Sequence, residues 1–238
     1  MNLSVFHQCY KQKVATKECI KAFRRFYPKN NYFLISDGGD DFSDLASEFN
    51  CSYYHDPVNL GYRDHTHESG IYGMTKDEVL LWLGRFKLAC EINDTKYILM
   101  MEDDVLVRGE ITIPEDTEFA GLGIPGNKFQ PEFMNYLIHK YDVEFNVDYY
   151  GTPGGSIFNA HTFLENYDRV IQIFQAEFDY IKDNLSGNLG WVDVWMPTYY
   201  FLCGKKFTQN PNLTETTRCY DWEFSNYSLV HQFKKYYV

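Results

Sequence analysis

The sequence predicts an α/β domain with a mostly parallel central sheet flanked by helices. Through the first half of the chain, short apolar runs typical of buried strands alternate with longer segments in which apolar residues recur every three or four positions. Strands and helices that alternate in this way form parallel sheets with right-handed crossovers. The length of 238 residues is enough for one domain with a sizeable core, and we find no internal repeat.

Each element of the first half has a local signal. The first helix carries an apolar stripe that Pro28 closes, and the second strand stops at the turn Asp37-Gly38-Gly39-Asp40. The third strand ends at Asp56-Pro57, and the fourth runs directly into three acidic residues. The predicted strands cover 3–10, 32–36, 51–54 and 97–101, and the predicted helices cover 14–27, 42–49 and 76–92.

The second half of the chain is less regular. Residues 109–130 carry glycine, proline and charged side chains, which predict a loop or short edge strands. A glycine-interrupted strand is predicted over 149–158. Apolar periodicity predicts helices over 131–141, 162–185 and 191–202.

Composition and charge exclude several classes of protein. Hydrophobic residues are 45% of the chain and charged residues 23%, so general disorder is excluded. The net charge of −11 argues against nucleic acid or anionic membranes as partners, because both require clustered lysine and arginine. The six cysteines form no CxxC pair, and the N-terminus lacks the features of a signal peptide. No apolar run reaches the length of a membrane span. We therefore expect a soluble protein of the reducing cytoplasm.

Three consecutive acids, Glu102, Asp103 and Asp104, follow the fourth strand. Carboxylates at the end of a buried strand repel each other unless a cation or hydrogen-bond donors compensate them. Their oxygens suit Mg²⁺ or Mn²⁺, either of which can bridge to a diphosphate. Ligands of parallel sheets bind beyond the carboxyl ends of the strands, so Asp37 and the triplet should face one crevice. The alternative is an acidic turn solvated at the sheet edge.

The order of these motifs resembles GT-A-fold glycosyltransferases, and the size and style of the chain are similar to the small GT-A domains of large algal viruses. The resemblance implies one domain over 1–238, in which 1–107 bind a nucleotide sugar and 108–238 form the acceptor side. The acidic triplet would be the DxD-type motif, from which it departs by beginning with glutamate. The motifs that carry the resemblance are Ser36-Asp37-Gly38-Gly39-Asp40, Asn59-Leu60-Gly61 and Glu102-Asp103-Asp104.

The resemblance also implies roles for individual residues. Asp104, Glu102 and the C-terminal His231 would bind Mn²⁺ or Mg²⁺. Asp193 would be the catalytic base. For these and the donor residues, a purely structural role in a turn, a helix or a bulge is the alternative. The residues implied to bind the donor's base, ribose, diphosphate or sugar are His7, Gln8, Tyr10, Asp37, Gly38, Arg63, Arg85, Asp103 and Gly155.

The resemblance implies a metal-dependent glycosyltransferase that uses a nucleotide sugar, most simply a UDP-sugar, and a glycan or glycoprotein acceptor. We expect the reaction to invert the anomeric configuration, with Asp193 accepting the proton of the acceptor hydroxyl. Two alternatives stay open at this point. A Mg²⁺-dependent nucleotidyltransferase would also place acids at strand ends beside a nucleotide. A non-catalytic carbohydrate-binding module would use the many aromatic residues, but it would not need the acidic triplet.

Overall fold

A seven-stranded sheet and a small three-stranded sheet organise the chain. The computed structural model describes residues 2–60, 74–128, 131–143, 149–184, 192–216 and 221–236. The strands are β1 (Leu3–Cys9), β2 (Tyr32–Asp37), β3 (Ser52–Asp56), β4 (Tyr97–Glu102), β5 (Leu106–Val107), β6 (Phe119–Lys128), β7 (Tyr149–Asn159), β8 (Phe207–Gln209), β9 (Leu213–Glu215) and β10 (Leu229–His231). The helices are α1 (Lys13–Phe26), α2 (Ser43–Phe49), α3 (Lys76–Asn93), α4 (Pro131–Tyr141), α5 (Ala160–Asn184) and α6 (Val192–Leu202), with 3₁₀ helices at Asp221–Asn226 and Lys234–Tyr236.

The large sheet has the strand order β3-β2-β1-β4-β7-β6-β8. The four strands on the β3 side pair in parallel, and β6 pairs in parallel with β8. Only the pairings of β7 with β4 and with β6 are antiparallel. The predicted α/β architecture with a mostly parallel sheet is therefore confirmed.

The sheet separates two hydrophobic cores, because successive side chains of a strand point to opposite faces. Val5 packs in the core beneath α1 and α2, whereas its neighbour Phe6 packs in the core beneath α3, α5 and α6. In the second core, Phe6, Trp82, Phe86 and two further phenylalanines form edge and stacked ring pairs with centroids 4.8 to 5.8 Å apart. Each such pair adds about 0.5–1.5 kcal/mol beyond the burial of its surface.

Helix α3 is fixed at its start by a capping box. Glu78 N donates to Thr75 Oγ1 at 3.4 Å, and Thr75 N donates to Glu78 Oε2 at 2.8 Å. These reciprocal bonds satisfy backbone donors that the first turn of a helix leaves unpaired. The helix then carries Trp82 and Arg85 to the carboxyl edge of the parallel strands, where both side chains are buried.

The predicted strands and helices are confirmed to within two residues at each end, but the prediction for residues 109–130 is wrong in part. Residues 119–128 form β6, which lies inside the sheet between β7 and β8. Glycine and proline weaken the strand signal of this segment, and the pairing with β7 has register shifts after Ala120 and Gly123. Such irregularities let a strand with poor propensity stay in a sheet.

The three-stranded sheet was not predicted from the sequence. β10 pairs antiparallel to β5 and parallel to β9, at the point where the chain leaves β4. Phe233 N donates to the backbone oxygen of Asp104 at 2.8 Å, which ties the segment after β10 to the acidic turn. The small sheet therefore brings the C-terminal part of the chain to the carboxyl edge of the large sheet.

The structure agrees with the expectation of reduced cysteines for the part it describes. Cys9, Cys19, Cys51, Cys90 and Cys203 are free thiols. Burial raises the pKa of Cys9, Cys19 and Cys90, so these thiols stay protonated. Among the helices in the described ranges, none has both the length and the apolar character needed to cross a membrane.

Candidate functional site

The parallel strands end at one polar edge, as the sequence predicts. In the register of the sheet, Gln8 at the end of β1 lies opposite Glu102 at the end of β4. Asp37 at the end of β2 lies opposite Asp56 at the end of β3. The acidic triplet and Asp37 therefore share the edge at which ligands of such sheets bind.

The three acids of the triplet do not point the same way. A turn follows β4, closed by a bond from Val105 N to the backbone oxygen of Glu102 at 3.0 Å. The side chain of Glu102 is 32% exposed and that of Asp104 is 11% exposed, whereas the Asp103 side chain is fully buried. Glu102 and Asp104 are thus the acids of the triplet whose side chains keep some contact with solvent.

Asp103 and His7 form a buried pair. Asp103 Oδ1 accepts from Thr16 Oγ1 at 2.6 Å and lies 3.2 Å from His7 Nε2. The other ring nitrogen of His7 lies 2.7 Å from the hydroxyl of Tyr32. His7 and Asp103 are 0% and 1% exposed, so the pair joins the acidic turn to β1 and α1, and the donor-binding role of both residues stays a prediction.

His231 lies at the centre of the remaining acids. Its Nε2 atom is 3.5 Å from Glu102 Oε2 and 3.7 Å from Asp104 Oδ1. One ligand atom from each of Glu102, Asp104 and His231 lies within 4.8 Å of the others. These three residues, named here the acid–histidine cluster, are the ones that the resemblance implies as metal ligands.

A glycine of β7 makes room for this cluster. A Cβ atom at Gly154 would lie 2.5 Å from His231 Nε2, closer than real Cβ contacts, and 3.1 Å from Glu102 Oε2, which is tighter than most of them. Glycine within a strand often marks a place where another group approaches the backbone. Gly154 of the glycine-interrupted strand therefore leaves room for the side chains of His231 and Glu102. The sequence analysis named the neighbouring Gly155 instead, as a residue that contacts the donor.

The charges of the cluster depend on each other. Burial, together with the negative charge of Glu102, raises the pKa of Asp104 to about 6. Burial alone would lower the pKa of His231, but its contacts with Glu102 and Glu215 and the charge of Asp104 raise that pKa to about 10. At neutral pH, and without a metal ion, His231 therefore holds a proton that balances the acids.

The cluster fits a divalent cation. In the described part of the chain, the buried Asp104 Oδ1 has no hydrogen-bond partner, although a buried carboxylate oxygen normally has one. Two carboxylates and one imidazole are ligand types found around Mn²⁺, and the imidazole favours Mn²⁺ over Mg²⁺. A cation bound here would take the place of the His231 proton, because a metal ligand must be deprotonated.

Arg85 has protein partners rather than a free guanidinium. Its Nε donates to Asp56 Oδ2 at 2.9 Å, one terminal nitrogen donates to Asp37 Oδ1 at 2.6 Å, and the other to the Val58 backbone oxygen at 2.5 Å. Arg85 is 3% exposed and Asp37 is 0% exposed. These contacts join β2 and β3 to α3, and the contacts of Arg85 with a diphosphate and of Asp37 with a base stay predictions.

Gln8 belongs to the same network. Its amide nitrogen donates to Asp37 Oδ2 at 3.1 Å, and its amide oxygen accepts from Trp82 Nε1 at 2.9 Å. Gln8 is 5% exposed, so both ends of the amide are occupied inside the protein. Its role at the donor stays a prediction.

The glycines after β2 serve contacts between loops. Gly38 has a φ of +68°, and a Cβ atom there would lie 2.6 Å from Asn59 N. A Cβ at Gly39 would lie 1.8 Å from the backbone oxygen of Tyr10. The close approach that the sequence predicted at Gly38 is therefore to the protein's own backbone. Tyr10 stays half-buried at the rim, with Lys11 Nζ 4.8 Å from its ring centroid.

Three further predicted positions complete the comparison. Gly155 lies against Leu213 of β9, whose Cδ1 would be 2.6 Å from an added Cβ, and its backbone oxygen accepts from Asn210. Arg63 lies outside the described residues. Asp193 lies in the first turn of α6, but its side chain is outside the described part.

The sequence analysis did not identify Glu215 as a charge partner of His231, or Asp56 as a charge partner of Arg85. Glu215 belongs to β9, for which no strand was predicted, so nothing along the chain connected it with His231. Asp56 was seen only as the end of a strand, although its position beside a proline at the carboxyl edge could have suggested a second acid near Asp37.

Comparison with known proteins identifies the fold. No protein-family model matches the chain. No curated protein sequence matches it either. Among solved structures, an active-site mutant of LgtC matches with a TM-score of 0.54, and the galactosyltransferase LgtC in complex with donor and acceptor sugar analogues matches with a TM-score of 0.52. In both cases the identity is 14%, and the match covers 96% of this chain and 86% of LgtC. This likeness confirms the predicted GT-A fold.

We predict that Arg85→Gln destabilises the protein. Removing one partner of a buried ion pair leaves an uncompensated charge and costs about 3–5 kcal/mol of the free energy of unfolding. Here Asp37 and Asp56 would both remain buried without the guanidinium. Urea denaturation followed by circular dichroism measures the change.

Lys87→Gln is the matched control, because it removes an exposed ion pair with Glu91 from the same helix. This change should cost less than about 1 kcal/mol. If Arg85→Gln is as stable as the control but binds UDP more weakly than the wild type, Arg85 has the diphosphate role that the sequence predicts.

Proposed function

We propose that the chain is a metal-dependent glycosyltransferase that transfers a sugar from a nucleotide sugar, UDP-linked in the simplest case, to a hydroxyl group of a glycan or glycoprotein. The acid–histidine cluster at the carboxyl edge of the parallel strands is the observation that carries this proposal. The fold shared with LgtC supports it, since one LgtC structure holds donor and acceptor sugar analogues.

Glu102, Asp104 and His231 would hold the cation, which we propose to be Mn²⁺ or Mg²⁺. When bound, it supplies positive charge to the diphosphate that departs as the glycosidic bond to the nucleotide breaks. The protein side of the site is acidic, because Glu102, Asp104 and Glu215 all surround His231. A diphosphate would be repelled from this arrangement without the cation, so we expect donor binding to require metal.

The buried network at the same edge supports the rest of the donor site. Arg85, Asp37 and Gln8 are hydrogen-bonded to each other in this network, and we propose that they fix the backbone of the edge beside the donor. Tyr10 at the rim and Arg63 remain our candidates for contacts with the nucleotide base and the diphosphate, respectively. The backbone N–H of Leu60 donates to Asp37 Oδ1 at 2.8 Å, which fixes Leu60 at the end of β2.

For the acceptor side we propose Asp193 as the general base of an inverting reaction. A carboxylate at this position would take the proton of the acceptor hydroxyl as the oxygen attacks the anomeric carbon from the face opposite the nucleotide. The resemblance supports this choice, because it implies a catalytic acid near the helix that follows the acceptor wall. Asp193 lies at the start of α6, which follows β7 and α5 along the chain.

We predict that Asp104→Asn abolishes the metal dependence of UDP binding. Loss of a ligand that faces the cation should weaken UDP in the presence of Mn²⁺ by more than about tenfold, since even residues behind the ligands are worth about 10–100-fold. Calorimetric titration of UDP with and without Mn²⁺ measures the effect. Asp116→Asn, which removes an exposed acid outside the crevice, is the control for the change in net charge.

The fold should survive Asp104→Asn, because asparagine keeps the size of the side chain and Asp104 Oδ1 has no hydrogen bond to lose. Unchanged Mn²⁺ dependence in this variant would contradict the proposed cation site. If the wild type releases pyrophosphate from a nucleoside triphosphate and a sugar phosphate, the protein is a nucleotidyltransferase. If it binds glycan but neither UDP nor Mn²⁺, it is a carbohydrate-binding module.

We predict that Asp193→Asn lowers turnover by at least about a hundredfold, the lower range of the contribution of a general base. Asparagine keeps the size of the side chain but cannot accept the proton, so donor affinity should stay nearly unchanged. NMR of the product should show an inverted anomeric configuration. Retention of configuration would rule out the single-base mechanism, and an active Asp193→Asn enzyme with an inverted product would rule out only the residue.

A further inference from the structure

We propose that Glu215 is a positioning residue that orients His231 toward the cation and increases its basicity as a ligand. The inference rests on the proposed function, because it concerns the same cation site. It assigns a role to a residue of β9 that the sequence analysis did not consider.

The two side chains face each other across paired strands. His231 of β10 is the register partner of Glu215 of β9 in a parallel pairing. His231 Nδ1 lies 3.3 Å from Glu215 Oε1. The two residues are 6% and 5% exposed, so water has little access to the contact. Thr216 N also donates to the backbone oxygen of His231 at 3.1 Å, which fixes the register next to the pair.

This contact decides which ring nitrogen is available. With Nδ1 turned to Glu215, Nε2 points at Glu102 Oε2 and Asp104 Oδ1, at 3.5 and 3.7 Å. In a neutral imidazole only one nitrogen carries hydrogen, and a carboxylate beside Nδ1 keeps that hydrogen on Nδ1. The lone pair of Nε2 is then directed to the cluster, as in other sites where a carboxylate supports a metal-binding histidine.

The backbone of β7 restricts the ring from another side. A Cβ atom at Gly154 would lie 2.5 Å from Nε2 and 2.8 Å from Cδ2 of His231, so the ring packs directly on this glycine. Rotation of the ring away from Glu215 therefore has little room. Glu215 and Gly154 together hold the imidazole in the orientation that serves the cluster.

Mn²⁺ binding to the full chain, without nucleotide, tests the inference. We compare the wild type with Glu215→Ala, Glu215→Gln and the control Glu110→Gln, which removes one exposed negative charge near the same small sheet. Electron paramagnetic resonance of free Mn²⁺ gives the affinity. Pulsed measurements of ¹⁴N coupling on the bound ion report whether a histidine is a ligand, and thermal unfolding reports the fold.

We expect Glu215→Ala to lower Mn²⁺ affinity by about 10–100-fold and to reduce the ¹⁴N coupling. Glu215→Gln still offers an oxygen to Nδ1–H, so it should keep the ¹⁴N coupling and lose less affinity than Glu215→Ala. Glu110→Gln should bind Mn²⁺ like the wild type. If Glu215→Ala does not fold, an affinity of Glu215→Gln that lies below the wild type at an unchanged melting temperature supports the inference.

Other outcomes overturn it. Glu215→Ala that folds and binds Mn²⁺ like the wild type, or Glu215→Gln that does so when Glu215→Ala does not fold, leaves the proposed function intact and removes the positioning role. Weaker affinity with full ¹⁴N coupling in Glu215→Ala would make Glu215 a direct ligand instead. A wild type that binds Mn²⁺ without any ¹⁴N coupling excludes His231 as a ligand, and with it the inference. A wild type that binds no Mn²⁺ with or without UDP contradicts the proposed function itself.

Discussion

The carboxyl edge of the parallel sheet holds more negative charge than it can carry uncompensated, and the arrangement of the site follows from this constraint. The guanidinium of Arg85 forms ion pairs with Asp37 and Asp56. Asp103 contacts His7 and accepts a hydrogen bond from a threonine hydroxyl. Buried carboxylates without such partners would be costly or would bind a proton. The first two compensations are made inside the protein, and they fix the strand ends and the acidic turn.

The third compensation differs because we propose that it can be exchanged. Glu102 and Asp104 are balanced by His231, and we propose that a divalent ion can replace the proton of this histidine. In the small sheet β5-β10-β9, the strand β10 places His231 beside the acidic turn. Gly154 leaves space for the ring of this histidine. A rigid, already compensated edge thus supports one adjustable cluster, which is the property that a cation-dependent site needs.

Features that depend on residues close together along the chain could be predicted from the sequence. Contacts between residues that lie far apart along the chain could not. Strands and helices with strong periodicity were found to within two residues, and the resemblance placed Glu102, Asp104 and His231 in one set. Contacts between distant residues carry no local signal, so the protein partners of Asp37, His7 and Asp103 could not be predicted from the sequence. Some of the aromatic residues, which a carbohydrate-binding module would use, form ring pairs in the core beneath α3 and α5. Strand β6 is irregular and strand β9 is short, so the residues of neither strand show a clear strand pattern in the sequence.

The central claim is that Glu102, Asp104 and His231 hold a divalent cation at the edge of a GT-A fold. Anomalous diffraction at the manganese absorption edge, from crystals grown with Mn²⁺ and UDP, tests this claim most directly. The account predicts one strong anomalous peak within bonding distance of Glu102, Asp104 and His231 Nε2, adjacent to the diphosphate. Bound UDP with no peak at this cluster, or with the manganese ion held elsewhere, would contradict it.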